Sequence, residues 1–245
     1  MTKLVLFFIN IFDFFYKKKV LKFLKKDLKL NSFKLFIDIG GHHGETINLF
    51  CKNFQINKII SIEASPKNFE VLKSKTKLFK KKFLNTIILI ENLTLGNQNK
   101  LVNIKQFDES SSSTIKEIDQ NSIYFKKKFG LLNLFKKKDI FQEIEVELTK
   151  LYDYFVKNDI DNVDFLKIDT EGSEFDILNG LDHSIKKVKV IYFEHHYDLM
   201  LKKKYKFKDI NNLLLNNNFK KVFKIKMPFR KVFEYIYINE NKNIY

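Results

Sequence analysis

Two stretches of this 245-residue chain gather the residues whose types and spacing could do chemistry. In FLKIDTEGSE (Phe165–Glu174) an apolar run delivers Asp169 and Glu171 to its end, and Gly172 allows a tight turn into the next helix. Two carboxylates there could orient a substrate hydroxyl, accept its proton or bind a cation. Helix N-capping by Asp169 or Thr170, worth about 1 kcal/mol, is the structural alternative. It explains one acid, but not Asp169, Glu171 and Glu174 together. In FIDIGGHHGET (Phe36–Thr46) Asp38 is followed by Gly40, Gly41 and Gly44, three of the seven glycines in the protein, with His42 and His43 between the last two. Such a turn lets the backbone approach a ligand closely. The helix start behind it offers unpaired N–H groups. Glu63 lies about 20 residues further on, where doubly wound proteins place an acid for ribose hydroxyls.

These residues need a scaffold that brings strand ends together. KLFIDIG (34–40) is a short apolar run stopped by glycine, as a buried parallel strand should be. A helix is expected over 44–54, a strand over 58–64, and a helix started by Pro66. Further strands are expected near 87–91 and over 101–107, where LVNIKQF alternates in the manner of an exposed strand. EIEVEL (143–148) alternates too, and TKLYDYFVKN should be helical. Core strands are expected over 162–174 and 187–197, then a helix near 208–217. The last two strands are joined by so few residues that they must be antiparallel. The expected fold is therefore α/β and Rossmann-like: a mostly parallel seven-stranded sheet closed by an antiparallel hairpin. Residues 108–142 break the rhythm and form an insertion, expected to cover an acceptor rather than a donor. Residues 1–33 form a separate Lys/Phe-rich helical segment, and 34–245 the main domain.

The fingerprint G-x-G-x-x-G would need glycine at Ile39, and no G-x-x-x-x-G-K-[ST] is present, so a dinucleotide turn and a P-loop are excluded. The pattern D-x-G-G-x-x-G is instead of the S-adenosylmethionine type. FIDIGGHHGET, SIEASPKNFEVL, LTLGN, VDFLKIDTEGSEFDILNG and VIYFEHH stand in an order and spacing that resembles the FkbM-type methyltransferase family, over roughly residues 34–200. The resemblance implies a class I methyltransferase fold, S-adenosylmethionine as donor, and O-methylation of a sugar, glycan precursor or other hydroxyl-bearing metabolite. It implies that Asp38, Gly40, Gly41 and Gly44 serve the methionine part of the donor. Glu63 would take the ribose, Asn92 and Leu93 would lie beside the adenine, and Asp169 and Glu171 near the transferred methyl. Many members have a small residue and asparagine where this chain has Gly41 and His42, which leaves the roles of His42 and His43 open.

A base is expected near the acceptor, and the fifth core strand ends in Glu194, His195 and His196. Alternation turns one histidine of the pair to the crevice, and His195 is the choice here. A metal gathered by Asp169, Glu171 and a histidine is the lesser alternative, since no compact spacing such as H-E-x-x-H occurs. The net charge of +16 invites a nucleic-acid reading, but Arg230 is the only arginine, and lysine lacks the planar fork that suits phosphate and base edges. Base-amino methylation would also want an N/D-P-P-Y turn where D-T-E-G stands. An RNA methyltransferase, or a non-catalytic membrane-surface partner of glycan assembly, are the rival readings.

Cys51 is the only cysteine, so no internal disulfide forms and a reducing cytoplasm is compatible. The apolar stretch 4–16 is too short to span a bilayer and has no signal-peptide cleavage pattern. It should pack on the domain edge, or lie in an anionic membrane surface with Lys17–Lys19 and the lysines of 22–26 on the headgroups.

Overall fold

Apolar runs bounded by glycine, proline or asparagine become the buried strands of a computed structural model that describes residues 15–107, 113–126, 141–228 and 230–242. In chain order the strands are β1 (Ser32–Ile39), β2 (Gln55–Glu63), β3 (Ile87–Asn92), β4 (Thr94–Gly96), β5 (Lys100–Phe107), β6 (Glu117–Ile118) and β7 (Phe141–Lys150). They continue with β8 (Val163–Ile168), β9 (Val188–His196), β10 (Leu201–Lys202), β11 (Phe219–Lys226) and β12 (Val232–Asn239). The helices used below are α1 (Glu45–Cys51), α2 (Pro66–Lys82), α3 (Leu151–Lys157), α4 (Glu174–Asn179) and α5 (Phe207–Asn216).

Seven strands form the central sheet in the order β11-β12-β9-β8-β1-β2-β3. All neighbours are parallel except β12, which runs against both β9 and β11. The chain winds outward from β1 through β2 and β3, then returns to the other side of β1 as β8 and β9. Strand order therefore reverses between β1 and β8, the place where open α/β sheets bind ligands. Both faces are covered. On one side α3, α4 and α5 pack over Ile37, Leu166, Ile191 and Phe193. On the other, Phe36, Phe50 and Phe165 meet at ring distances of 4.8–5.4 Å. Each such fully buried ring contributes about 1.5–3 kcal/mol by leaving water.

The N-terminal helix, residues 15–22 with a wider turn at Phe23–Asp27, packs on that second face. Tyr16, Val20, Leu24 and Leu28 recur every four residues and are all buried, while Lys17, Lys18 and Lys19 stay exposed. Residues 1–14, the apolar half of that segment, lie outside the described residues. No helix of the described residues is long and apolar enough to cross a membrane.

β5 and β7 pair antiparallel from Lys100↔Leu148 to Phe107↔Phe141 and form a separate three-stranded sheet with β4. Their polar/apolar alternation suits a sheet with one wet face, which the doubly covered central sheet could not accommodate. Of the expected insertion 108–142, residues 108–112 and 127–140 lie outside the described residues. The described part, 113–126, returns to the domain: Thr114 bridges to Lys105, and β6 pairs with β10.

Candidate active site at the carboxyl edge of the sheet

At the end of β1 the backbone N–H groups of Gly40 and Gly41 both donate to the Ile62 carbonyl, at 2.8 and 2.9 Å. This draws the turn against β2. Gly40 takes φ +87°, and a Cβ there would lie 1.8 Å from the backbone oxygen of Asp169. Only glycine fits between the ends of β2 and β8. Gly41 backs onto Ser61, and Gly44, at φ +84°, opens α1 and faces Phe79. The His42 N–H donates to Glu63 Oε2 at 2.8 Å and the Ser65 N–H to Oε1 at 2.9 Å. Glu63 is buried at the tip of β2, so burial pushes its carboxyl pKa up, although these two N–H groups oppose the shift.

A cleft opens beside this turn, lined by Gly40, Glu63, Leu93, Ser113, Asp169 and Thr170 among others. It brings together four of the expected site residues: Gly40, Glu63, Leu93 and Asp169. Asn92 stands behind them, its amide donating to the carbonyls of Glu63 and Ala64 at 2.8 and 3.2 Å. Asp38, expected to serve the methionine part of the donor, is not among the residues that line the cleft. It is fully buried within the sheet, accepts from Ser61 Oγ at 3.0 Å, and lies 3.6 Å from Lys167 Nζ. Register sets this: Asp38 sits opposite Lys167 on β8, so the acid faces the Lys167 ammonium.

Ser113, Thr114 and Ile115 line the same cleft as Gly40, Glu63 and Asp169. Thr114 Oγ1 ties this segment down by donating to the Glu171 carbonyl at 2.8 Å. The hydroxyls of Ser113 and Thr170 are buried at the cleft with no partner among the described protein atoms.

Past the cleft, carboxylates line up across three strands. Asp169 comes directly after β8, Glu194 lies near the end of β9, and Glu234 lies opposite Glu194 on β12. Asp169 caps no helix, since α4 starts from Ser173; its Oδ2 instead pairs with Lys167 Nζ at 2.9 Å. Burial raises the Asp169 pKa, but the Lys167 ammonium outweighs it and holds the carboxyl below its ordinary range. With its side chain 39% exposed, Asp169 presents an ionised oxygen to the cleft.

Glu171, at φ +47°, points away from the cleft lining toward His196, whose Nε2 lies 3.3 Å from Glu171 and 2.9 Å from Glu194. Asp198 holds the other ring nitrogen at 3.1 Å. Burial alone would neutralise His196, but Glu171, Asp198 and Glu194 raise its pKa well above the usual value and keep an imidazolium. His195, the member of the pair expected at the crevice, points instead to the opposite face. It lies among Tyr197, Tyr205 and Phe207, and burial drives its pKa down to about 3. The i, i+2 spacing of Glu194 and His196 was the available signal, together with a lysine inside the apolar run FLKID.

Glu234 is pushed up to about 7, first by burial and then by the charge of Glu194. Its folded pKa thus lies above the ordinary 4.5, so folding favours the protonated acid. That contribution is complete below the ordinary pKa and is lost as pH rises through the folded one. Glu234→Gln, still able to accept from Tyr192, should be more stable than the wild type by on the order of 2–3 kcal/mol near pH 8 and by little near pH 5. Denaturant unfolding at both pH values measures this; an equal difference at both would place Glu234 outside the charge row.

Strand order, glycine turn and acid-tipped β2 together define a class I, S-adenosylmethionine-dependent methyltransferase fold. Within that class the chain belongs to the FkbM family, whose methyltransferase domain matches residues 38–221. Among solved structures it is similar to methyltransferase FkbM from Methylobacillus flagellatus KT, with 14% identity and a TM-score of 0.55 over 84% of this chain. That match takes in 43% of the other chain, so this protein spans less than half of its length. Magnesium protoporphyrin IX methyltransferase from Synechocystis PCC 6803, solved with bound S-adenosylmethionine, has a TM-score of 0.52 at 10% identity, covering 95% of this chain and 82% of that one. At such identities the likeness is one of fold. No curated protein sequence matches the chain.

Proposed function

We propose that this protein is an O-methyltransferase that uses S-adenosylmethionine to methylate a hydroxyl of a sugar, glycan precursor or similar metabolite. The observation that carries the reading is Asp169, an ionised carboxylate open to the same cleft as Gly40 and Glu63.

The residues fit the donor. The missing Cβ at Gly40 lets the turn close against the Asp169 carbonyl, and the Glu63 carboxylate, which holds two backbone N–H groups and the Asn68 side chain, keeps acceptor capacity for a ribose hydroxyl. Leu93 supplies an apolar wall, and the unpaired Ser113 and Thr170 hydroxyls offer polar contacts. Asp38, Gly41, Gly44 and Asn92 act from behind, by shaping the turn and bracing β2. When bound, S-adenosylmethionine supplies a methyl group on a positively charged sulfur.

Asp169 accepts a hydrogen bond from the acceptor hydroxyl and orients an oxygen lone pair toward the methyl carbon. An acceptor oxygen that gains the methyl group would turn strongly acidic, with Asp169 beside it to receive the proton. A carboxylate of low pKa is then base enough to take the proton and pass it to water. Lys167 keeps Asp169 ionised between turnovers, while His196 holds Glu171 at the rim.

Incubation with methyl-labelled donor and fractionated cell glycans, lipids and RNA tests the reading. Label in an alkali-stable ether of a glycan or small metabolite supports it; label confined to RNA overturns it. The donor site has its own check. Glu63→Ala should weaken S-adenosylmethionine binding by about 1.5–3 kcal/mol, roughly 10- to 150-fold. Calorimetry on a folded variant with native affinity would remove Glu63 from the site. A peripheral contact of residues 1–26 with anionic membrane is a companion proposal, based on the exposed lysines of the packed helix. Vesicle flotation that fails with anionic lipid would dismiss it.

A further inference from the structure

The donor turn carries a second set of chemical groups that methyl transfer does not use. His42 and His43 are adjacent, half-buried and stacked, with ring centroids 3.7 Å apart at 18°. Glu45, the first residue of α1, lies beside them with Oε2 3.2 Å from His42 Nδ1 and 3.1 Å from the His43 backbone nitrogen. One ligand atom from each of the three side chains lies within 4.8 Å of the other two.

We propose that His42, His43 and Glu45 form a binding site for one divalent transition-metal ion of the zinc, cobalt or nickel kind.

Two imidazole nitrogens and one carboxylate oxygen are a donor set that favours such ions over magnesium or calcium, which prefer oxygen throughout. Around a tetrahedral ion with bonds of about 2.0–2.1 Å, neighbouring ligand atoms lie about 3.3 Å apart. The His42–Glu45 pair already has that spacing, at 3.2 Å. The stacked rings must swing out of parallel to bring in His43. Their partial exposure permits this, since His42 keeps 31% of its side-chain surface open to solvent and His43 is half-buried. Lys75 Nζ, 3.8 Å from Glu45 Oε1, partly neutralises the carboxylate and would give way to the ion. Three protein ligands leave one position for water.

Such an ion would tie the turn to the first residue of α1, on the outer side of the same turn whose His42 N–H holds Glu63. The site stands whatever the acceptor is, and it is separate from the Asp169 edge. His195 and His196, the other adjacent pair, are buried and face opposite sides of β9.

The test titrates the full chain, freed of metal, with Zn²⁺ in a calorimeter and with Co²⁺ by visible absorption at neutral pH. One ion per chain and ligand-field bands of a four-coordinate cobalt complex are expected. His42→Asn suits the positive φ of 46° at that position. Combined with His43→Gln it should weaken binding by about 100-fold or more, and Glu45→Gln alone by about 10-fold. Circular dichroism and thermal unfolding on the same samples show that a double variant that has lost the ion is still folded. Wild-type protein that takes up neither ion, or a double variant that binds cobalt as tightly as the wild type, would overturn the proposal.

Discussion

Asp169→Asn will lower the turnover number by about 100-fold or more, while S-adenosylmethionine affinity stays within a few-fold of native. The substitution keeps the size of the side chain and one oxygen for Lys167, but removes the negative charge that orients the acceptor and takes its proton. The competing role is structural. Asp169 caps nothing; its structural duty is the ion pair with the half-buried Lys167, which also has Asp38 at 3.6 Å. If that pairing were its whole role, Asp169→Asn would lose stability but turn over at a rate close to native once folded. Thermal unfolding and single-turnover methyl transfer on the same preparation tell the two apart. A hundredfold rate loss with intact donor binding supports the chemical role, and native turnover in a folded variant ends it.

Gly40→Ala will destabilise the fold by about 2–5 kcal/mol and abolish measurable donor binding. Two costs add. A non-glycine residue at φ +87° costs about 1–2 kcal/mol, and forcing a methyl group to within 1.8 Å of a backbone oxygen costs about 1–3 kcal/mol after relaxation. For a chain of this size that corresponds to a fall in Tm of roughly 5–20 °C. Gly172→Ala is the matched control. Gly172 has a similar φ of +96°, but its Cβ would meet only the flexible side chains of Leu201, Lys116 and Lys203, at 3.1–3.5 Å. It should therefore show the backbone cost alone. Equal melting points for the two variants would refute the claim that the ends of β1 and β8 exclude a side chain at Gly40.

The chain's local patterns were enough for the scaffold. Predominantly apolar runs such as LFIDIG and DFLKID specify strands covered on both faces, because a strand with one wet face would alternate instead. The short connection between the last two strands dictates their antiparallel pairing. Glycines in the first turn and an acid at the end of the next strand mark the cleft, because a close backbone approach depends on residue type at fixed offsets. Family membership was legible for the same reason.

The partners of the charged groups were decided only by the tertiary structure. Asp38 belongs to Lys167 because β1 and β8, distant in sequence, are register neighbours, and nothing local to FIDIGG reveals that pairing. His196 rather than His195 joins Glu171, because the face of β9 that carries Glu194 turns toward the loop after β8. Alternation states that the two histidines diverge, but not which one meets the acids. Residues 113–115 reach the cleft through the Thr114–Lys105 bridge, a contact that loss of periodicity could not disclose. Periodicity is written along the chain, whereas the protonation and pairing of a buried acid depend on which strands stand beside it.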